Sequence, residues 1–342
     1  MRIDANVNVS DPFPLRIVRA IPDMEEILLR GGKLLLMTHR GRPKGREATL
    51  STKSLIPRLE LLLGRPVVFV PEFDVALCER AWKHQPAAVI LFENLRFFDG
   101  EKDNARHFAK QMAAVADMYV NNAFGVCHRK HASVHRITKF LPSFAGSLLR
   151  EEIHALSTAF VPPFVFVLGG AKLETKIPLL KKIAPRATRV LLGGAFALPR
   201  QQSLLVHMMR RMPNVFCVPQ DLRIRKGQGI GVVDGSHIPQ DTSVMDIGPE
   251  TEMLYARMLL EAKSVLWNGP LGVIEEEDGR NGTLSMIDAL RHARQARVVI
   301  GGGDVIGMID AEDIGSHMFL STGGGAMLTF LAGARMPGLD VL

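Results

Sequence analysis

The sequence is poor in cysteine: three in 342 residues, Cys78, Cys127 and Cys217, each far from the others. That excludes a disulfide framework and points to a reducing cytoplasm. Tyrosine and tryptophan number two each, so the aromatic platforms on which single-stranded nucleic acid stacks are scarce. No apolar run approaches the roughly 20 residues of a membrane helix, which argues against a membrane partner. The opening MRIDANVNVSDPFP carries Asp4 and Asp11 and lacks the apolar core of a signal peptide. Two phosphate-binding signatures are also missing. There is no G-x-x-x-x-G-K-[ST], which argues against a P-loop enzyme, and no G-x-G-x-x-G after a strand, which argues against a dinucleotide dehydrogenase. Cys127, His128, His131 and His135 lack the spacing of a zinc finger, and no second cysteine pair exists.

What is present is globular material: 47% hydrophobic and 23% charged residues, ample for packed cores and too apolar for disorder. At roughly 100–200 residues per domain, the length suggests two domains. The net charge of +7 sits entirely in residues 1–149, which hold 22 Lys+Arg against 15 Asp+Glu, whereas residues 150–342 hold 20 of each. Either nucleic acid or a small, multiply anionic ligand would account for that excess. The lack of a Lys/Arg block favours the small ligand.

Short apolar runs alternate with longer amphipathic stretches. Leu34–Met37, Val67–Val70, Ala88–Phe92, Phe164–Leu168, Val190–Leu192, Val265–Trp267 and Val298–Ile300 read as strands buried on both faces of parallel sheets. Leu50–Leu63 and Ala105–Ala116 read as helices between them. The alternation predicts an α/β protein. Lys139–Glu152 contains Pro, Gly and Ser and then enters a helix running to about Ala159, ahead of Pro162–Pro163 and a new strand. That helix is read as the connector and hinge between two α/β domains.

The second half repeats one device, an apolar strand running into glycines: FVFVLGGAK (164–172), VLLGGAFA (190–197), VLWNGPLG (265–272), VVIGGGD (298–304) and FLSTGGGA (319–326). In a parallel sheet these turns share the carboxyl edge, where α/β ligands bind. Glycines let a phosphate approach the backbone, and the helix starts that follow supply N–H groups and a positive dipole. Lys172 and Lys176 lie four apart at such a start, on one face and against the dipole; a polyphosphate would offset that cost. The first half instead ends its strands on cations: His39, Arg40 and Arg42; Arg96; His128, Arg129 and His131. Several arginines at one sheet edge repel one another unless an anion sits there, and their planar forks suit phosphate or carboxylate.

These segments, in this order, resemble the phosphoglycerate kinase family almost from end to end. RIDANV resembles R-V-D-F-N-V-P, THRGRPKG resembles S-H-L-G-R-P-K-G, FENLRF matches E-N-L-R-F, and NNAFGVCHRKHAS resembles N-D-A-F-G-x-x-H-R-x-H-A-S. LGGAKLETK resembles G-G-A-K-V-x-D-K, MDIGPET resembles L-D-I-G-P-x-T, WNGPLGVIE resembles W-N-G-P-x-G-V-F-E, and GGGD and STGGGA are both present.

The resemblance implies two doubly wound parallel-sheet domains joined by a hinge helix. Residues 1–149, with the tail 331–342 packing back on them, would hold 3-phosphoglycerate or 1,3-bisphosphoglycerate. Residues 150–330 would hold Mg²⁺ with ADP or ATP. It implies a cytoplasmic, monomeric phosphotransferase that moves an acyl phosphate to ADP. Carried over residue by residue, Asp4 and Asn6 would contact the triose, and His39, Arg42, Arg96 and Arg129 would bind and orient its phosphate. Arg16 and Lys172 would flank the transferring phosphoryl group, with Gly303 offering it an N–H. Gly169, Gly170, Lys176, Asn268, Glu275, Gly301 and Gly302 would meet the nucleotide, and Asp304 would hold Mg²⁺. Such a site works by positioning and charge neutralisation.

The departures fall mostly on the nucleotide half. Ala5 and Asn8 replace Phe and Pro in the first motif, and Asn122 replaces an Asp. Thr175, Ala195, Val305 and Met327 stand where the family has Asp, Gly, Thr and Ser, and beyond Ala197 a helix and loop of the family are missing. Two readings follow: a working kinase with weakened nucleotide affinity, or a paralogue that binds phosphoglycerate without catalysis. Retention of Arg16, Lys172, Asp304 and the GGG loop favours the kinase.

Overall fold

The computed structural model describes residues 1–7, 14–85, 89–171, 173–198, 203–227 and 229–342. Asn8 and Lys172, both singled out above, lie outside the described residues. The chain divides into two compact units, Met1–His154 with Arg335–Leu342, and Ala155–Ala334. The first cut falls inside the helix Ser147–Ser157, in the segment read as the connector.

In the first unit the strands are β1 (Arg2–Ile3), β2 (Leu35–Leu36), β3 (Val67–Val70), β4 (Val89–Phe92), β5 (Tyr119–Asn122) and β6 (Ser143–Ala145). All pair in parallel, and a bridge between Arg2 and Met37 joins β1 to β2, giving the order β3-β4-β2-β1-β5-β6. The run VILF of β4 shows why such strands are apolar throughout. Val89 and Leu91 pack with Ile17, Met24, Leu55 and Leu59 on one face, and Ile90 and Phe92 pack with Phe108, Met112 and Tyr119 on the other. Successive side chains point to opposite faces, and both faces are covered. Each such side chain contributes about 1.5–3 kcal/mol on burial.

The helix expected over Leu50–Leu63 forms only from Ile56 to Leu63. Two 3₁₀ turns, Ala48–Leu50 and Thr52–Leu55, precede it. Ser51 accepts a hydrogen bond from the Lys53 N–H and Pro57 occupies the first helical turn, so the chain restarts there instead of running through. The helix Arg106–Ala114 forms within the second predicted stretch. The C-terminal tail belongs to this unit, with the Gly338 N–H donating to the Cys127 carbonyl at 2.8 Å.

In the second unit β7 (Phe164–Leu168), β8 (Arg189–Leu192), β9 (Phe216–Cys217), β13 (Ser264–Asn268), β14 (Arg297–Gly301) and β15 (Met318–Ser321) form a parallel sheet ordered β15-β14-β13-β7-β8-β9. The strand sequence reverses between β13 and β7, which makes that crevice the switch point at which doubly wound sheets bind ligands. A separate antiparallel sheet, β11 (Gly229–Asp234), β10 (Asp221–Lys226) and β12 (Ser243–Ile247), was not foreseen. Its strands alternate: Leu222 and Ile224 are buried between the less buried Arg223 and Arg225. A search for continuous apolar runs passes over such half-solvated strands.

Candidate functional site

Each unit gathers its polar side chains at the carboxyl ends of its parallel strands. In the first unit, β1 ends on Asp4 and Asn6, β2 on His39–Arg42, β4 on Glu93–Arg96 and β5 on the loop containing His128, Arg129 and His131. Asp4 is buried and accepts from Arg16 Nη1, 3.3 Å from Oδ2. The same Nη1 reaches the Asn6 carbonyl at 3.2 Å, and Asn6 Oδ1 accepts the Gly41 N–H at 2.8 Å. Arg16 lies on the single turn Leu15–Val18.

Asn94, which the sequence reading passed over, ties the cation-bearing loops together. Its Oδ1 accepts the N–H groups of Arg40 (3.2 Å) and Arg96 (3.0 Å), and its Nδ2 donates to the carbonyls of Arg40 and Leu50, each at 2.8 Å. Arg96 Nη1 donates to the Gly41 carbonyl. Arg129 Nε donates to His128 Nε2 at 3.1 Å, and Arg42 is exposed beside them. Two more residues were missed. Arg2 is fully buried, and its Nη2 lies 2.8 Å from His39 Nδ1. Glu101 is a buried carboxylate that accepts from the Ser133 N–H (2.9 Å) and hydroxyl (2.6 Å), 3.6 Å from His131 Nδ1. RIDANV places Arg2 in a motif, but only pairing between β1 and β2 buries it.

These groups share one electrostatic field. Burial, then Arg129, Arg2 and Arg42, bring the Arg96 guanidinium down to about 10, with Glu101 opposing. Burial and then Arg42 lower Arg129. Burial and the neighbouring arginines hold His128 at about 4 and His131 at about 3, and push His39 well below the ordinary histidine value. At neutral pH the arginines therefore carry the charge and the three imidazoles are uncharged. Cations that disfavour one another's charge are stabilised by an anion with several negative groups.

In the second unit the glycine loops after β7, β8 and β13 interlock. The Gly170 N–H donates to the Pro270 carbonyl, the Gly194 N–H to Leu271 and the Ala195 N–H to Gly170, at 2.6, 2.6 and 3.1 Å. A Cβ on Gly169 would lie 2.1 Å from the Pro270 oxygen. Lys176, on the helix Leu173–Ile183, is 7% exposed and lies at the β7/β13 crevice. Its Nζ donates to the Gly169 carbonyl and, at 3.3 Å, to that of Asn268. Burial pulls its pKa down to about 8, and Asp304 opposes the shift. Gly269, at φ +87°, leaves room for that ammonium, since a Cβ there would sit 2.3 Å from Nζ.

Asn268 is buried, while Gly303, Asp304 and Glu275 are exposed. Gly303 opens the turn Gly303–Ile306, and Gly302 before it has φ +106°. Asp304 follows Gly303, and Gly301 ends β14. Among the substituted positions, Thr175 and Ala195 are exposed, and Val305 and Met327 are fully buried. Met327 packs its sulfur on Gly301, where a Cβ would meet it at 2.0 Å. Not every glycine loop leads directly into a helix: after β13 a 3₁₀ turn, Glu277–Gly279, precedes the helix Asn281–His292.

A family model described as phosphoglycerate kinase matches residues 1–203 and 200–334. The phosphoglycerate kinase of Wolbachia pipientis subsp. Culex pipiens (strain wPip) is 35% identical over 373 residues, covering 99% of this chain and 94% of the relative. That of Thermosipho africanus (strain TCF52B) is 36% identical over 378 residues, covering 99% and 93%. The solved phosphoglycerate kinase from Pyrococcus horikoshii OT3 superposes with a TM-score of 0.86 at 27% identity, over 100% of this chain and 94% of that one. The structure from Coxiella burnetii gives 0.79 at 28% identity, over 99% and 94%.

Proposed function

This chain belongs to the phosphoglycerate kinase family of phosphotransferases, and we propose that it moves a phosphoryl group reversibly between 1,3-bisphosphoglycerate and ADP, giving 3-phosphoglycerate and ATP. The reading is carried by the cation cluster of the first unit, in which, after burial, Arg129, Arg2 and Arg42 disfavour the charge on Arg96, and Arg42 that on Arg129. Asp4 and Asn6 meet the triose hydroxyl side, and His39, Arg42, Arg96 and Arg129 hold the phosphate end. The triose belongs to residues 1–149 with 331–342, and the nucleotide to residues 150–330. The helix Leu173–Ile183 and the Gly303 N–H at the start of the turn Gly303–Ile306 support this second assignment.

In the direction of ATP use, a carboxylate oxygen of 3-phosphoglycerate forms the new O–P bond as the bond between the γ-phosphorus and the β-bridging oxygen breaks. The carboxylate is already ionised, so no general base is needed. Arg16, Lys172 and the Gly303 N–H neutralise the equatorial oxygens in transit. Lys176, Gly169, Gly170, Gly301 and Gly302 hold nucleotide phosphates, Asn268 steadies the loop, and Glu275 takes the ribose.

The residues fit one magnesium ion. Asp304 is an exposed carboxylate next to Gly303 and within the field of Lys176, and a magnesium–nucleotide site needs only one or two carboxylates beside phosphates and water. When bound, the ion neutralises phosphate charge. The three unpaired cysteines support a reducing cytoplasm as the compartment, and we take the working form as a monomer.

Turnover of 3-phosphoglycerate with Mg-ATP, set against Lys172→Ala protein, tests the proposal. Rates well above that background are expected. Rates equal to it, with folded protein and saturating ligands, would leave a phosphoglycerate-binding protein without catalysis.

A further inference from the structure

We propose that Arg2 is a positioning residue that fixes the tautomer of His39, so that His39 enters the triose site as a neutral imidazole protonated on Nε2. A guanidinium has five N–H donors and no acceptor. With Arg2 Nη2 at 2.8 Å from His39 Nδ1, the ring nitrogen must accept, which places the ring proton on Nε2. The other tautomer, or an imidazolium, would set one N–H against another.

Arg2 is held in place. It is fully buried in β1, its Nη1 donates to the Ile3 carbonyl and faces that of Met37 at 3.4 Å, and the Ile3 N–H is bonded to Met37 at 3.0 Å. His39 itself is 5% exposed. The charged and titratable groups that face it are Arg2 from β1, Arg96 from the turn after β4, and Arg129 and His131 from the loop after β5. Each cation among them disfavours an imidazolium. Glu101, the buried acid of the cluster, is bonded to Ser133; burial raises its pKa, and Arg2 and Arg96 oppose that shift. Burial is the largest cause that lowers the His39 pKa, ahead of these cations. The consequence is a hydrogen-bond donor that adds no charge for Arg96 and Arg129 to repel, and whose form is constant through the pH range where a free histidine titrates.

The place of His39 in substrate binding rests on the kinase reading; its tautomer does not. Histidine-selective ¹⁵N NMR of the full chain, with His39→Gln protein to assign the signal, reads the tautomer directly. Across about pH 5.5–8 we expect one neutral form with Nδ1 unprotonated. A titrating His39, or a proton on Nδ1, overturns the proposal. In Arg2→Met protein burial, Arg96 and Arg129 still keep His39 neutral, but nothing fixes its ring proton, so the signal should report both neutral tautomers. The KM of this protein for 3-phosphoglycerate should rise roughly tenfold, the loss of about one hydrogen bond to a charged group, and stay raised from about pH 5.5 to 8. The kcat should stay within about twofold, because a ground-state contact changes binding first. Arg2→Lys protein, which keeps a donor, should restore the wild-type KM and the single tautomer. An unchanged KM together with a single tautomer protonated on Nε2 in Arg2→Met protein would overturn the positioning role. Should Arg2→Met not fold, the wild-type and Arg2→Lys spectra still decide. Absent turnover in wild-type protein defeats the kinase reading, while the spectra still judge the tautomer.

Discussion

Arg16 and Asp4 form an ion pair in the first unit, with Nη1 3.3 Å from Oδ2, and the same guanidinium nitrogen reaches the Asn6 carbonyl at 3.2 Å. The pair is partly solvated, since the Arg16 side chain is 26% exposed, so it orients the guanidinium more than it stabilises the fold.

Arg16→Ala protein should therefore keep its melting temperature and lose about 10²-fold in kcat, with KM for 3-phosphoglycerate changing less. Arg16→Lys protein should recover only part of that loss, because one ammonium cannot serve Asp4, Asn6 and a phosphoryl oxygen with a planar fork. Steady-state kinetics alongside thermal unfolding checks both. A parallel fall in melting temperature would make Arg16 a structural residue instead.

Nucleotide affinity should weaken with rising pH. Burial holds Lys176 at about 8 in the free protein. A bound phosphate raises that value, so the complex carries more proton than its parts above about pH 8. Affinity is then fully present below that pH and is lost progressively as pH rises through it. Calorimetric titration of ADP at pH 7, 8 and 9 in buffers of different ionisation enthalpy should show proton uptake at the higher values only. Flat affinity across the range would mean that Lys176 does not face the phosphates.

Two glycines separate folding from binding. A Cβ on Gly169 would sit 2.1 Å from the Pro270 oxygen, whereas at Gly303 nothing lies within 4 Å. Gly169→Ala protein should lose about 1–3 kcal/mol of stability by overpacking. Gly303→Pro protein removes the N–H assigned to the transferring phosphoryl group and should keep its stability, because proline suits a first helical turn and that N–H is unneeded there. Its kcat should fall by about 10²-fold. Urea unfolding and turnover on both proteins give the comparison.

Asp246 makes stability depend on pH in the opposite sense from an ordinary paired carboxylate. It accepts the Gly282 N–H at 2.7 Å and the Ile247 N–H at 2.8 Å, yet burial raises it to about 7 against those bonds. Between its unfolded value near 4 and about 7 the native state binds more proton, so this group removes stability as pH rises through that window. In Asp246→Asn protein the slope of unfolding free energy against pH from 4 to 7 should be less negative. An identical slope would show that Asp246 ionises normally.

The chemistry of the side chains and the strand positions were readable locally. Val67–Val70 and Phe164–Leu168 form strands at the predicted residues because a strand covered on both faces must be apolar at every position. The glycine-ended strands and the cation-ended strands announced two anion-binding edges, since the residue types that meet phosphate are few.

Tertiary structure decided which of these side chains meet. Arg2, His39, Arg96 and Arg129 share one field because β1, β2, β4 and β5 are neighbours in one parallel sheet and end on the same edge. Burial made Arg2 a partner of His39, turned Lys176 inward onto the Gly169 carbonyl and raised Asp246, outcomes that the residues adjacent in the sequence do not announce. The antiparallel sheet of β10–β12 escaped for the related reason that its alternation gains meaning only against the body it covers. Burial and pairing are set by residues distant in the chain, and desolvation depends on how completely those distant residues close around a group.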